Sequence, residues 1–554
     1  MSDRLSVSSG VDTKGTANEL ECLPYGVHHE NEGVSLLVRM GPHRILLDCG
    51  LTDTSPLVKG LKKSARRGNS PLPADLVLVS HAHPDHARGL LALHKAFPLL
   101  PVYGSEVTSK LLPLNWLDQN HHNIPSFCQA LPLRSPVEVK DGLVVELFPA
   151  GHLPGAVAIL LTYTTPERSY KILYTGDFFL SNSRLVEGLR LEELRGLELD
   201  VLIVEGSYGT SRHPHRRSQE NQLAERINRA IADRCSVILP TSTLGLGQEL
   251  LMLLRSHHYF TGRDLDIWVD GTVAVGCDAY LELLPYFPAS VQNFARHQPL
   301  FWDERIRPRV RRLLPDQRSH IGHSPCIILT DADADLREYC QPGTGPWLTL
   351  LPEKTNIKVD NRFSEITAIE TYLLAQHSDG PGTTQLIHNL RPQHVIFIHG
   401  SSAYLADLTS LEELQNRYHL HSPDAGTLVD LPIGETFLQP AAPETNYEGE
   451  LTELASVVTI TLPDSIAADP RWRHFADTGL VEARWQGEEL VLRGLTQREL
   501  LHQNSDRLIL SDLDCCGTCR HQRGQRCWNP SSPLYNFKVT LEGYCPAFER
   551  NQDG

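Results

Sequence analysis

The strongest constraint in the sequence is an apolar run that leads directly into a cluster of histidine and aspartate residues. The run Leu76–Val79 predicts a buried strand. The segment HAHPDH follows Ser80 and supplies His81, His83, Asp85 and His86. Imidazole nitrogens and carboxylate oxygens hold zinc at catalytic sites, and alternate residues after a strand can present two sets of ligands. The sequence therefore predicts a metal centre, with room for two ions, at the end of this strand.

The composition limits the partners that the protein can bind. The chain of 554 residues has 51 Lys and Arg residues against 67 Asp and Glu residues, which gives a formal net charge of −16. Such a surface does not attract a polyanion as a whole, so nucleic acid would have to meet a local basic patch. No apolar run approaches the ~20 residues that cross a bilayer, so we expect no membrane contact. Residues 1–18 are polar and lack the apolar segment of a secretory signal, which predicts a flexible leader on a cytoplasmic protein.

The pattern of apolar residues predicts an α/β fold. Short runs rich in Val, Ile and Leu alternate with Gly, Pro and Asn, as buried strands do. Helical segments follow among further strands, which favours an alternating arrangement. The predicted strands are Val34–Val38, Ile45–Leu47, Leu76–Val79, Leu143–Phe148, Val157–Thr162 and Ile172–Tyr174, and the predicted helices are Gln219–Ala232, Gly247–Leu254 and Tyr280–Leu284.

Other histidine and acidic residues lie at the ends of other apolar runs. Asp48 lies in RILLDCG, His152 in PAGHLPGA and Asp177 in ILYTGDF. Together with HAHPDH, and in this order, these segments resemble the motifs of the metallo-β-lactamase superfamily. The resemblance implies that Asp48 braces the metal loop, that His152 is a metal ligand and that Asp177 bridges two metals.

Beyond Asp177 the sequence resembles one branch of that superfamily, the β-CASP nucleases, whose members include RNase J and the eukaryotic pre-mRNA 3′-end cleavage endonuclease. Glu205 begins EGSYG, His377 lies in AQHSD and His399 lies in VIFIHG. These three segments are similar to motifs A, B and C of the family. DNA-acting relatives carry an aliphatic residue at the position of His399, so the resemblance implies single-stranded RNA as the substrate.

The resemblance implies a two-zinc centre. Two metal ions can activate water and clamp a phosphate for hydrolysis of a phosphodiester bond. One zinc ion would bind to His81, His83 and His152, a second would bind to Asp85, His86 and His399, and Asp177 would lie between them.

A proton donor is also expected, because the departing ribose oxygen must be protonated. His377 is the expected general acid, and Glu205 would keep its imidazole protonated. The expected catalytic residues are therefore Asp85, Asp177, Glu205 and His377.

The implied architecture is a metallo-β-lactamase αββα sandwich with an inserted β-CASP α/β cap domain and a small cysteine-containing domain at the C-terminus. A change of composition near Gln439, in QPAAPETNYEGE, predicts a linker. The expected divisions are a leader at residues 1–18, the first part of the core at 19–208, the cap at 209–372, the return segment of the core at 373–440 and the C-terminal domain at 441–554.

The cap departs from the family pattern at two places. Leu246 stands where family members often have arginine in a Gly-Arg-x-Gln-Glu helix start, and an acidic stretch from Asp331 to Asp335 stands where a glycine loop is expected. These changes leave the metal chemistry unaffected and weaken the expected contacts with RNA. The basic groups that could replace those contacts, or else form ordinary solvated faces, are Lys62, Lys63, Arg66, Arg67, Arg309 and Arg311.

Four cysteines near the C-terminus form a second candidate metal site. Cys516, Cys519, Cys527 and Cys545 could hold one structural zinc ion or an iron–sulfur cluster, with free thiols as the alternative. The same region contains two predicted strands, Val481–Trp485 and Leu490–Arg493, joined by a turn at Gln486 and Gly487.

The sequence thus favours a zinc-dependent β-CASP ribonuclease and leaves open whether it cuts internally or from an end. A small ester or thioester hydrolase of the metallo-β-lactamase fold is the alternative within enzymes. A non-catalytic scaffold of an RNA complex is the alternative outside them. A homo-oligomer or an RNA-processing complex is compatible with either function.

Overall fold

The computed structural model describes residues 20–28, 32–58, 72–118, 124–353 and 367–434, and after these only residues 451–454, 457–460, 481–486, 489–494, 518–523, 526–530 and 548–550. The chain divides into two compact units, Met1–Ala441 and Ala442–Gly554. Several predicted features lie outside the described residues, namely the leader at residues 1–18, the linker near Gln439, Lys62, Lys63, Arg66, Arg67, Cys516 and Cys545.

A seven-stranded mixed sheet begins the first unit. Its strands are β1 (Leu20–His28), β2 (Gly33–Met40), β3 (His43–Leu47), β4 (Leu76–Leu78), β5 (Val102–Ser105), β6 (Cys128–Leu131) and β20 (Val429–Asp430), in the order β20-β1-β2-β3-β4-β5-β6. The pairs from β3 to β6 are parallel, so β3 and β4 end at the same edge of the sheet.

A second seven-stranded sheet contains the remaining core strands. They are β7 (Val137–Lys140), β8 (Leu143–Pro149), β9 (Val157–Thr164), β10 (Ser169–Tyr174), β11 (Val201–Glu205), β18 (His394–Ile398) and β19 (His419–His421), in the order β19-β18-β11-β10-β9-β8-β7. Strands β10, β11, β18 and β19 run parallel to one another, so β10, β11 and β18 also end at a common edge.

The two sheets pack face to face, and helices cover their outer faces. Leu36 and Ile45 of the first sheet share a fully buried core with Ile159 and Ile203 of the second. A second core lies between the sheets and the helices, and this order of layers is the predicted αββα sandwich. The core helices are α1 (Pro84–Ala87), α2 (Leu90–Ala96), α3 (Glu106–Leu111), α4 (Leu191–Leu194), α9 (Gly380–Leu390), α10 (Ser402–Thr409) and α11 (Glu412–Gln415), and a 3₁₀ helix spans Leu112–Trp116.

The segment between β11 and β18 forms the inserted cap. Its strands are β12 (Ser236–Thr241), β13 (Asp266–Val269), β14 (Arg309–Arg312), β15 (Cys326–Asp331), β16 (Trp347–Pro352) and β17 (Ala368–Tyr372), in the order β14-β13-β15-β12-β16-β17. All pairs in this sheet are parallel. Its helices are α5 (Arg216–Ala232), α6 (Leu246–Ser256), α7 (Gly271–Glu282) and α8 (Ala289–His297), with 3₁₀ helices at Leu284–Tyr286, Pro315–His320 and Leu336–Glu338.

The elements agree with the sequence pattern where the apolar runs are long. Each of the six predicted strands has its counterpart in β2, β3, β4, β8, β9 or β10. The predicted helix Tyr280–Leu284 is different, because α7 already ends at Glu282 and a 3₁₀ turn containing Pro285 follows it. Proline cannot donate the backbone hydrogen bond that would continue the helix.

In the second unit the described strands form three two-stranded sheets. They are β21 (Leu451–Leu454) with β22 (Val457–Ile460), β23 (Val481–Gln486) with β24 (Glu489–Gly494), and β25 (Gln522–Arg523) with β26 (Arg526–Cys527). Gln486 pairs with Glu489, so the connection in the second pair is residues 487–488, one position later than predicted. Across the described part of the whole chain, no helix has both the length and the apolar character needed to span a bilayer.

Candidate metal centre

The predicted site residues lie at the carboxyl ends of core strands. Asp48 follows β3 directly, and Asp177 lies three residues after the end of β10. His399 follows β18 directly, and Glu205 is the last residue of β11. Parallel strands end at one edge of a sheet, and ligand sites in α/β folds form outside those ends. The two sheets therefore bring distant parts of the chain to one place.

A first group of donor atoms comprises three histidines and one aspartate. His81, His83, His152 and Asp177 each offer an atom within 4.8 Å of the others. His152 Nε2 lies 3.0 Å from His83 Nδ1, and Asp177 Oδ2 lies 3.4 Å from His81 Nε2. This is the set expected to hold one metal ion.

A second group lies on the other side of Asp177. Asp85, His86 and His399 likewise each offer an atom within 4.8 Å of the others. His399 Nε2 is 3.1 Å from Asp85 Oδ2, and His86 Nε2 is 3.3 Å from Asp177 Oδ1. Asp177 thus faces both groups, one with each carboxylate oxygen.

Three buried polar atoms in these groups make no hydrogen bond in the structure. They are His81 Nε2, His86 Nε2 and Asp177 Oδ1, and all three residues are at most 2% exposed. Buried polar atoms are normally satisfied, so such atoms require an explanation. Nitrogen and carboxylate donors in sets of three, with a shared aspartate, fit two divalent cations such as zinc.

Asp48 holds the loop that carries His81 to His86 through hydrogen bonds. Its carboxylate accepts hydrogen bonds from Ser80 N at 2.7 Å and Ser80 Oγ at 2.6 Å. It also accepts from His86 Nδ1 at 2.7 Å and from the Tyr174 hydroxyl at 2.5 Å. Because His86 donates through Nδ1, its Nε2 is left to face the centre. Ser80 also lies 3.0 Å from His81 Nδ1, which leaves Nε2 of that residue inward as well.

Backbone carbonyls orient the other two histidines of the first group. His152 Nδ1 donates to the carbonyl of Gln376 at 2.9 Å, and His83 Nε2 donates to the carbonyl of Leu244 at 3.3 Å. Leu244 belongs to the cap, so the cap loop contacts the metal centre directly. Gly245 has φ +89°, and an added Cβ there would lie 3.2 Å from Gln376 Nε2, so glycine suits this close approach.

The pKa values of the histidines fall into two classes. Burial lowers the pKa of His81 and of His152, and neighbouring imidazoles add to this effect. Burial also opposes protonation of His86 and His399, but Asp177 and the other carboxylates around them together outweigh it, so both pKa values rise, that of His399 to about 10. Although burial favours its neutral form, the imidazoles hold the pKa of Asp177 well below its usual range. The centre therefore contains an ionised carboxylate between the two groups.

Glu205 and His377 form a pair next to the centre. His377 Nδ1 lies 2.9 Å from Glu205 Oε2 and 3.9 Å from Asp177 Oδ2. Burial opposes protonation of His377, yet the Glu205 carboxylate raises its pKa above the ordinary value. Ser207 donates to Glu205 and lies 2.9 Å from His399 Nδ1, so it connects this pair to the second group.

The two places where the cap differs from the family pattern, Leu246 and the acidic stretch, have structural roles. Leu246 is 7% exposed at the start of α6, so the position expected for arginine holds a buried aliphatic side chain. Asp331 accepts hydrogen bonds from Thr272 N at 2.9 Å and Val273 N at 3.2 Å at the start of α7. The first residue of the acidic stretch therefore satisfies a helix end instead of facing a ligand.

The predicted RNA contacts in the cap already have acidic neighbours. Arg309 contacts Asp264 and Asp266 at 2.6 Å each, and Arg311 lies 3.4 Å from Glu304. RNA would have to compete with these ion pairs, so the role of both arginines in RNA binding stays a prediction.

Several contributors to the site were missed in the sequence. Ser80 stands beside the histidine segment and Tyr174 ends an apolar run before Asp177, so their positions offered a weak signal. Ser207 lies within the EGSYG segment, but nothing in its sequence context pointed to His399. The carbonyls of Leu244 and Gln376 offered no signal, because a backbone atom has no sequence signature.

In the C-terminal unit, the described residues include two of the four predicted thiol ligands. Cys527 is buried, and Cys519 forms an isolated bridge with Arg550. The metal site predicted for this unit stays a prediction.

Comparison with known proteins agrees with the site. The family model described as the metallo-β-lactamase superfamily matches residues 31–242. An uncharacterized protein of Synechocystis sp. is 48% identical over 97% of this chain and 98% of its own length. A protein of Methanocaldococcus jannaschii named "Probable RNase MJ4" is 30% identical over 42% of this chain and 55% of its own length. A second protein of that organism, named "RNase J-like protein", is 27% identical over 52% of this chain and 65% of its own length.

The match to the two Methanocaldococcus proteins spans less than two thirds of either relative. These relatives are nevertheless named as RNases. The superfamily match covers the residues from β2 through β12, the first strand of the cap. The chain contains a domain of the metallo-β-lactamase superfamily, a superfamily of metal-dependent hydrolases, and has relatives named as an RNase and as an RNase J-like protein.

Proposed function

We propose that this protein is a zinc-dependent ribonuclease that hydrolyses phosphodiester bonds of single-stranded RNA at a two-metal site. The observation that carries the proposal is the position of Asp177 between two groups of donor atoms, with the Glu205–His377 pair beside it. The relatives named as RNases support RNA as the substrate.

Each of the two donor groups would bind one metal ion. His81, His83 and His152 would hold one zinc ion, Asp85, His86 and His399 would hold the other, and Asp177 would contact both. Zinc bound there would supply Lewis acidity, which makes water easier to ionise and offsets the negative charge of the phosphate. Asp48 and the carbonyls of Gln376 and Leu244 keep the lone pairs of the histidines directed inward.

His377 would supply the proton that the reaction requires. Its Nδ1 is held by Glu205, so Nε2 is the nitrogen that can donate to the departing ribose oxygen. The Glu205 carboxylate favours the charged imidazole, which is the form that a general acid needs at the start of the reaction.

The test is cleavage of one single-stranded RNA, labelled separately at each end, with metal content measured on the same protein sample. We expect the parent protein to cut the RNA, and Asp177→Ala to lose metal and cleavage together. Asp407→Ala, which changes an exposed aspartate on α10, is the matched control and should behave as the parent. The lengths of the labelled products separate internal cleavage from trimming of an end.

Other outcomes would contradict the proposal. A parent protein with about two metals that leaves RNA intact but hydrolyses a small thioester would favour the small-substrate hydrolase. A parent that binds RNA without any hydrolysis would favour a scaffold. Full metal content and unchanged cleavage in Asp177→Ala would show that Asp177 is not a ligand.

A further inference from the structure

The loop that carries His377 is held at its start by one face of a cap helix. This loop follows β17 and reaches Ala375 two residues before His377. On α5, Arg216 Nη1 donates to the carbonyl of Ala375, and Gln219 Oε1 accepts from Ala375 N at 2.8 Å. Residues three apart lie on the same face of a helix, so α5 satisfies both backbone groups of Ala375 at once.

Arg216 is itself fixed by two carboxylates. Its guanidinium lies 3.5 Å from Glu220 Oε1 and 3.6 Å from Glu249 Oε2. All three residues are at most 9% exposed. A buried arginine is costly unless charged and polar partners satisfy it, and here the two carboxylates and the Ala375 carbonyl do so.

Glu249 extends this arrangement to the segment after Asp177. It accepts hydrogen bonds from Ser183 Oγ at 2.8 Å, Arg184 N at 2.9 Å and Leu185 N at 2.8 Å. The cap helices α5 and α6 therefore connect two core segments, the one that follows Asp177 and the one that carries His377.

The held loop contains two groups that the proposed reaction uses. The carbonyl of Gln376 orients His152, and His377 pairs with Glu205. On the other side of His377, Ser378 N donates to the carbonyl of Phe178 at 2.9 Å. The backbone is thus held on both sides of His377. Arg216 and Gln219 hold Ala375 before it, and Phe178 holds Ser378 after it.

We propose that Arg216 and Gln219 are positioning residues that hold the His377 loop in the geometry needed for proton donation. The proposal rests on the proposed function, because it assigns these residues a role in the same reaction. Neither side chain is expected to contact RNA or metal, and both act through the backbone of Ala375.

The first test measures positioning without substrate. Amide hydrogen exchange of residues 375–379 should be at least tenfold faster in Arg216→Ala than in the parent. The Ala375 carbonyl loses its donor in this variant, so we expect the loop to open more often and to expose the amides that Gln219 and Phe178 hold. Arg229→Ala is the matched control, since Arg229 lies on the same helix and its ion pair with Glu225 stays within that helix. Unchanged exchange in Arg216→Ala would overturn the proposal, whether or not the protein cleaves RNA.

The second test separates positioning from general stability. At saturating RNA, kcat of Arg216→Ala should fall by roughly tenfold to a hundredfold with KM within about twofold of the parent, as expected for a misplaced catalytic group. In a His377→Ala background the same substitution should change kcat by less than about twofold, because the group that it positions is already absent. An equal loss in both backgrounds would overturn the proposal.

A milder variant covers the case in which Arg216→Ala fails to fold. Gln219→Ala removes the acceptor for Ala375 N and a donor to the Pro214 carbonyl, and it leaves the buried ion pairs in place. It should give the same pattern with a smaller loss of kcat, and a loss confined to KM would overturn the proposal. A parent that does not cleave RNA would instead refute the proposed function, while the exchange measurement would still decide the positioning role.

Discussion

At the scale of single residues, the histidines proposed as metal ligands differ in their surroundings from the histidine proposed to donate a proton. His81, His86 and His152 each use one ring nitrogen to contact a fixed polar partner and turn the other inward. His377 has the buried carboxylate of Glu205 as its partner, just as His86 has that of Asp48. Exposure distinguishes the two, because the His377 side chain is 21% exposed whereas that of His86 is fully buried. We therefore expect the second nitrogen of His377 to reach a bound substrate.

This difference predicts the effect of removing His377. His377→Ala should keep the metal content of the parent and slow RNA cleavage by roughly two to four orders of magnitude, which is the usual contribution of a general acid. Metal analysis and single-turnover cleavage on the same sample measure both quantities. His388→Ala, which changes a half-buried histidine paired with Tyr418, is the control. Loss of metal in His377→Ala would make this residue a ligand instead.

At the scale of elements, the edge of the second sheet contains a contact between two histidines that we expect to depend on pH. His394 begins β18, and its Nδ1 lies 3.0 Å from Nε2 of His421 at the end of β19. His394 Nε2 donates to the carbonyl of Pro432, and burial lowers the pKa of His394, so in the neutral ring Nδ1 accepts from His421. Burial lowers the pKa of His421 to about 4, and the neighbouring imidazoles of His394 and His419 contribute.

The sign of the pH effect follows from these pKa values. Histidine in an unfolded chain has a pKa of about 6.5. Between about pH 6.5 and pH 4, His421 therefore binds more protons in the unfolded chain than in the folded one. Stability should therefore fall as the pH is lowered through this range. His421→Gln should show a smaller decrease in Tm between pH 7 and pH 5 than the parent, measured by thermal unfolding. An equal decrease in both proteins would show that this contact does not contribute.

At the scale of the whole molecule, the proposed function requires an acidic chain to bind an acidic substrate. The net charge of −16 leaves local cations to make the contacts. In the described part of the chain, Arg212 and Arg217 are exposed and form no ion pair, unlike Arg309 and Arg311. Between Arg212 and Arg217, His213 N donates to Asp379 Oδ2 at 3.0 Å, which places this segment beside the loop of His377.

Salt dependence of RNA binding distinguishes the two pairs of arginines. Each phosphate contact on single-stranded RNA contributes about 0.7 to the slope of log K against log salt. Replacing both Arg212 and Arg217 with alanine should reduce the slope by about 1.4, whereas the same change at Arg309 and Arg311 should leave it unchanged. Dissociation constants measured at several salt concentrations in an Asp177→Ala background avoid cleavage of the RNA. Equal slopes for both double variants would contradict this assignment.

Much of the fold and the set of donor residues could be predicted from the sequence. Long apolar runs followed by histidine or aspartate marked β4 and β10, because a buried strand and the loop after it are both local in the chain. The β-CASP motifs added the order of the elements and predicted the cap. Short or exposed elements such as β6 and β7 were missed, since they contain too few apolar residues to show a period.

The sequence by itself determined which side chains could bind metal and that strands would deliver them. Only the tertiary structure decided which of them meet, since residues as distant as Asp85 and His399 come together through the packing of one sheet on the other. It also decided which ring nitrogen of each histidine faces the centre, because the partners include the carbonyls of Leu244 and Gln376. It gave Arg309 acidic partners and Ala375 its contact with α5. Such contacts depend on the distance between atoms in space, which the local order of residues does not specify.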